Sequence, residues 1–179
     1  MLNAIMNHPQ FEILVQHCGL DTSYNPEWFS NFKVSSNPIF IDGKRGSGRT
    51  TFIIDLFASL AVIDNDCQSL ICCHNRNQIL YAVKHAEKFI NAAHIKFANS
   101  KLLNVKIHRI YHDRIELDNG SQIIFALTDN MNIARGRTFN FVAIDSNIRT
   151  MDDVNAEFLA CVVPCLYSTG GKLIITRET

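Results

Sequence analysis

The stretch FIDGKRGSGRTTF, residues 40–52, sets three glycines, Lys44, two arginines and three hydroxyl side chains between apolar flanks. Glycines let successive backbone N–H groups turn inward around an anion, and a helix beginning just after them adds partial positive charge. Gly43, Gly48, Arg49 and Thr50 fit the phosphate-loop pattern G-x-x-x-x-G-K-[ST], with arginine where the pattern has lysine. On this reading Gly43, Lys44, Arg45, Gly46, Ser47, Gly48, Arg49, Thr50 and Thr51 bind the phosphates of a nucleotide. Arg49 takes the place of the lysine that reaches the β- and γ-phosphates, and the Thr50 hydroxyl holds Mg²⁺. Arg45 is either a second phosphate clamp or a solvated charge.

Two further polar positions belong with this loop. Asp145 closes the apolar run FNFVAID, residues 139–145, where a carboxylate at a strand end holds Mg²⁺ directly or through water. Thr176 and Thr179, in the closing TRET, follow another apolar run and are placed to sense a γ-phosphate. Asp145 alone would equally suit a helix cap or a surface site. A loop, an aspartate and a polar strand end in this order make a nucleotide site far better supported than coincidence.

The elements that must position these residues follow from apolar spacing. PIFID, residues 38–42, is a short buried strand, and residues 50–63 are apolar nearly all round, as a helix buried on most sides is. SLICC, residues 69–73, is a second strand. Ile79, Val83, Ala86, Ile90, Ala93 and Phe97 recur at helical spacing, predicting an amphipathic helix over residues 76–98. RIELDNGSQIIF, residues 114–125, predicts a hairpin turning at Asn119-Gly120. After the strand ending at Asp145, Asp152 or Asp153 caps a helix carrying Val154, Phe158, Leu159 and Val162, and KLIIT, residues 172–176, is the last strand. The pattern is α/β: a mainly parallel sheet with helices on both faces plus a β-hairpin, a P-loop NTPase of the ASCE-like kind. Residues 1–36 read as a lead-in packing on the domain of residues 37–179. Its aromatic segment EWFSNF, residues 27–32, serves either core packing or an adenine.

Bulk properties bound the rest. The chain has 179 residues, 47% apolar, which is enough for one packed domain. Its seventeen basic and seventeen acidic residues balance, so nucleic-acid contact needs a local patch. Lys101, Lys106, Arg109 and Arg114 are either that patch or a solvated face. The six cysteines form no C-x-x-C and read as buried free thiols, and His108 and His112 lack the partners a metal site requires. No signal-peptide pattern or membrane span is expected.

Taken together, the motifs resemble the ATPase domain of the large terminase subunit, the DNA-packaging motor of tailed phages and herpesviruses. GKRGSGRTT is similar to that family's phosphate loop with an additional arginine, here Arg45. LICCHNRNQILYAVKHAEKFI is similar to the strand and helix that follow, and LDNGSQIIF to its hairpin. NIARGRTFNFVAID places Arg135-Gly136 before the aspartate strand, and STGGKLIITRET looks like the last strand with its coupling motif. The resemblance implies ATP and Mg²⁺ as cofactors, catalytic roles at the positions of Arg45, Asp145 and Ser146, and coupling roles for Arg135, Gly136, Thr176 and Thr179. It also implies double-stranded DNA, other terminase subunits and the portal as partners, a homo-oligomer, no membrane, and residence inside an infected cell: cytoplasm for a phage, nucleus for a herpesvirus. Two departures stand out. Arg49 replaces the family's lysine, and Ser146 replaces the glutamate that activates the attacking water. The family's further strands and nuclease domain are expected to be missing, leaving an open sheet edge after Thr176. The resemblance therefore supports either a packaging ATPase or a degenerate pseudo-ATPase that binds nucleotide or assembles with the packaging machinery.

Overall fold

The structure is a computed structural model that describes Leu14, Trp28 and residues 37–100, 103–148 and 156–179, without the side chains of 131, 146–148 and 156–158. Asp152, Asp153, Val154, Lys101 and most of the lead-in lie outside the described residues.

Seven strands form one sheet: β1 (Ile39–Gly43), β2 (Gln68–Cys73), β3 (Ile107–Ile110), β4 (Arg114–Leu117), β5 (Gln122–Leu127), β6 (Phe141–Ile148) and β7 (Lys172–Glu178), in the order β1-β7-β6-β2-β5-β4-β3. The first five in that order pair in parallel, while β4 and β3 add antiparallel ribs beyond β5. Parallel strands need crossovers, and these carry the helices α1 (Arg49–Ile63), α2 (Arg76–Lys96), α3 (Ala156–Val162) and α4 (Pro164–Tyr167). The α1/α2 face gathers Phe52, Phe57, Phe89, Phe125 and Phe141, together with Leu14 and Trp28 of the lead-in. The α3/α4 face gathers Phe139, Val142, Ile144, Val162, Leu166 and Ile175. Helices therefore do cover both faces, as expected.

α1 is buried from Phe52 to Val62, so its lack of an apolar stripe reflects burial on every side. α2 instead buries Ala82, Val83, Ala86, Phe89, Ile90 and Ala93 along one stripe. The hairpin turn sits where Asn119-Gly120 put it: Gly120 has φ 84° and its N–H donates to the Leu117 carbonyl at 3.2 Å. Its polar side chains also tie down α1. Asn119 Nδ2 donates to the carbonyls of Ala61 and Asp64 at 2.8 and 3.0 Å, and Ser121 Oγ donates to Asp64 at 2.8 Å. Carbonyls at the end of α1 that no helical N–H reaches thus gain partners.

Three expectations change. β3 is an additional strand, and it is largely exposed, so no buried periodicity announces it. β6 runs on past Asp145 to Ile148, with its pairing to β7 shifting between Ile144 and Ile148. The open edge expected after Thr176 is not there: β7 lies between β1 and β6, and the edges of the described sheet are β1 and β3. The basic hairpin residues Arg109 and Arg114 stack on the Tyr111 ring, at 5.2 and 4.3 Å from its centroid. Cys67, Cys72, Cys73, Cys161 and Cys165 are free thiols, and burial pushes Cys67 and Cys73 up to about 12.

One polar pair is locked between α1 and α2: His85 Nε2 and Asp55 Oδ1 lie 2.7 Å apart, both buried. Replacing His85 by leucine takes the imidazole partner away from a buried carboxylate. We expect a loss of about 3 kcal/mol in chemical denaturation. A loss under about 1 kcal/mol would show that the pair carries little of the α1–α2 contact.

Candidate functional site

The loop joins β1 to α1 at the carboxyl ends of the parallel strands, where ligands of such sheets bind. Gly46 (φ 79°) and Gly48 (φ 86°) adopt left-handed conformations that ordinary side chains resist. At Gly43 a Cβ would lie 2.6 Å from Ser47 Oγ, so a side chain there would make the Ser47 hydroxyl turn away. Gly48 caps α1 with no side-chain hydrogen bond, and the first turn of α1 has no acidic residue. The helix N-terminus therefore presents N–H groups and positive partial charge with nothing built in to answer them.

Two adjoining clefts, about 320 and 430 Å³, open against this loop. The first is lined by Arg45, Arg49, Thr50, His74, Asn75, Gln78 and Asp145. The second is lined by residues 45–51 with Gln78 and Tyr81. Arg45 and Lys44 are exposed, but Arg49 is only 9% exposed and its Nη1 is buried with no hydrogen-bond partner among the described residues. Arg49 lines the cleft as a charged, nearly buried guanidinium, a group that favours an anion beside it.

Asp145, 5% exposed, stands at the centre. Its Oδ1 accepts from Thr176 Oγ1 at 3.0 Å and its Oδ2 accepts from Gln78 Nε2. Burial pushes its carboxyl above the ordinary carboxylate range, opposed by hydrogen bonds from Thr50, Thr176 and Gln78 and by the Arg49 charge. Thr50 and Asp145, the residues expected to hold Mg²⁺, are thus in direct contact. The unpartnered Arg49 donor, the glycine nest and the Thr50–Asp145 pair fit a Mg-bound phosphate chain. Asp145 is the sole carboxylate lining the clefts among the described residues.

The structure brings together the loop residues, Thr50, Thr51, Asp145 and Thr176. Thr179 is exposed and its N–H faces the Gly43 carbonyl at 3.4 Å, so it lies beside the loop's first residue. Ser146 follows Asp145 in β6, and its side chain is outside the described atoms. Arg135 and Gly136 line neither cleft. They are exposed in the turn after a 3-10 helix, next to Ala134, which packs in the α3/α4 core. Trp28 packs on Phe52, centroids 5.2 Å apart, and donates to the Asp42 carbonyl at 2.9 Å, which answers its question in favour of core packing.

Several neighbours of the site carry no sequence pattern of their own. Arg177 forms two 2.7 Å bonds to Asp42 and lies over the Phe40 ring at 3.9 Å, clamping β7 to β1 where the loop begins. Tyr81 hydroxyl lies 3.0 Å from Thr51 Oγ1. Gln78 had a legible signal. Asn75-x-x-Gln78 is the spacing of a capping box, and Asn75 Oδ1 accepts the Gln78 N–H at 2.9 Å while Gln78 Oε1 accepts the His74 N–H at 2.8 Å.

The sheet order, loop and aspartate together define an α/β fold of the P-loop type. Within that class, the fold is that of a large terminase ATPase domain. The Thermus phage P74-26 large terminase ATPase domain superimposes with a TM-score of 0.70 at 14% identity, covering 94% of this chain and 68% of that one. A point mutant of that domain gives 0.70 at 13% identity over the same shares. No protein-family model and no curated protein matches the sequence. Among the described residues no helix is long and apolar enough to cross a membrane.

Proposed function

We propose that this chain is a terminase-like ATPase domain that binds Mg·ATP and acts in the movement of viral DNA into capsids, with slow hydrolysis of its own. The observation that carries the reading is Arg49, a nearly buried guanidinium that lines the same cleft as Thr50 and Asp145. Arg49 supplies the charge that lysine gives in the standard pattern. Its planar fork suits two phosphate oxygens, where an ammonium would act as a point charge. Loop N–H groups and Arg45 hold the remaining phosphate oxygens. Thr50 and Asp145 hold Mg²⁺, which when bound offsets charge on the β- and γ-phosphates. Thr176, hydrogen-bonded to Asp145 and next in the chain to the clamp at Arg177, reports the state of the site to β7. Double-stranded DNA, further terminase subunits, the portal and neighbouring copies of the chain are the partners this reading supplies, inside an infected cell.

A second reading is a pseudo-ATPase that binds nucleotide and works through assembly. It is favoured by the single carboxylate in the described cleft lining and by serine at position 146. Calorimetric titration with Mg·ATP, beside single-turnover hydrolysis, separates the two. We expect saturable binding that falls at least about 10-fold in Arg49→Ala, because a charge-assisted phosphate contact contributes about 1.5–3 kcal/mol. Rapid turnover by the unaltered chain would remove the second reading. Absence of binding, also in Arg49→Lys, would remove both.

A further inference from the structure

We propose that Gln78 is the water-positioning residue of this site, orienting the nucleophile in a cleft whose described lining holds no carboxylate besides Asp145. The inference rests on the nucleotide reading above and deepens it.

Gln78 lies in the first turn of α2, three residues after its cap Asn75, and lines both clefts. Its carboxamide is fixed from two sides. Nε2 donates to Asp145 Oδ2, and Oε1 accepts the His74 N–H at 2.8 Å. A carboxamide has two donor hydrogens and two acceptor lone pairs. The two bonds use one of each, so one N–H and one lone pair remain on a side chain whose orientation is already set. That is the equipment needed to hold one water by donating to its oxygen and accepting one of its hydrogens. The same cleft holds Arg45, Arg49 and Thr50, where the phosphates would lie. Glutamine is a known solution to this task in GTP-hydrolysing P-loop enzymes, where it orients water without acting as a strong base.

The chemistry balances without a protein base. The water oxygen forms a bond to the γ-phosphorus and the bond from that phosphorus to the β–γ bridging oxygen breaks. The bridging oxygen leaves on ADP, and the water proton ends on the phosphate product or in solvent. Gln78 takes up no proton. Hydrolysis at this site therefore shows no titration from residue 78.

The test compares the unaltered chain with Gln78→Ala and the isosteric Gln78→Glu, measuring Mg·ATP affinity, single-turnover rate and its pH dependence. We expect Gln78→Ala to bind Mg·ATP within about threefold of the unaltered chain and to hydrolyse it about 10²-fold more slowly, the scale of a misplaced reactant. Gln78→Glu keeps an acceptor for the water and should recover part of the rate lost in Gln78→Ala, whereas a mere brace would not be rescued, since a carboxylate there repels Asp145. The proposal is overturned if Gln78→Ala hydrolyses at the original rate. It is equally overturned if that variant loses affinity and rate together, because Gln78 is then a brace for Asp145. Binding by the unaltered chain without any hydrolysis leaves the nucleotide reading standing and removes Gln78 from it. No binding by the unaltered chain removes both.

Discussion

With glutamate in place of Ser146, the chain is expected to hydrolyse ATP about 10²–10⁴-fold faster, at nearly unchanged Mg·ATP affinity. The expectation comes from what the clefts contain. Their described lining offers Asp145 as its only carboxylate, and three hydrogen bonds plus the Arg49 charge already commit that group. A serine hydroxyl does not take up a proton usefully near neutral pH, while a glutamate does. Residue 146 follows Asp145 in β6, within the stretch where the pairing of β6 to β7 shifts register. The gain should appear in the single-turnover rate and not in the dissociation constant. Unchanged hydrolysis in a variant that still binds Mg·ATP would mean that the missing component is not a carboxylate at this position.

How far the sequence could be read follows the physics of each element. The strands β1, β2, β5, β6 and β7 are buried, so their apolar runs announce them, and α2 shows its stripe because only one side is covered. The turn at Gly120 was legible because its positive φ restricts which residues serve there. β3 was not, because an edge strand exposed along most of its length has no reason to alternate. The lateral position of β7 was misread because strand order is a tertiary property that no local pattern encodes. In the site, residues 43–51 and Asp145 carry a motif, and Thr176 was placed by its position after a strand. Gln78, Tyr81 and Arg177 reach the site only through pairings between segments 30 to 135 residues apart, such as Thr51 with Tyr81, Gln78 with Asp145 and Asp42 with Arg177. Arg135-Gly136 shows the converse: a motif recognisable by resemblance whose described position lies on the α3/α4 face, outside the lining of both clefts.

Asp145→Asn is expected to make the ligand-free protein more stable at neutral pH while removing at least about 10²-fold of its Mg-dependent nucleotide affinity. Burial disfavours the Asp145 carboxylate more than Thr50, Thr176, Arg49 and Gln78 favour it, so the folded state holds the proton more tightly than the unfolded chain. The contribution of Asp145 to stability is then fully present below the ordinary carboxylate pKa and is lost as pH rises through the raised folded value. Asparagine does not ionise and escapes that loss. It can also keep the local bonds, with its carbonyl facing Gln78 and its amide facing the Thr176 hydroxyl. Melting temperatures of the two proteins should therefore converge toward about pH 4 and separate toward pH 7, the variant gaining about 2–4 °C for each kcal/mol relieved. A variant less stable than the parent at every pH would show that the charge is fully compensated in the fold. A variant with unaltered Mg²⁺ dependence would take the metal away from Asp145. The expected combination, stability gained and Mg²⁺ linkage lost by one change, is what separates a carboxylate retained for a ligand from one retained for the fold, because a purely structural aspartate has no reason to be worse than its neutral isostere.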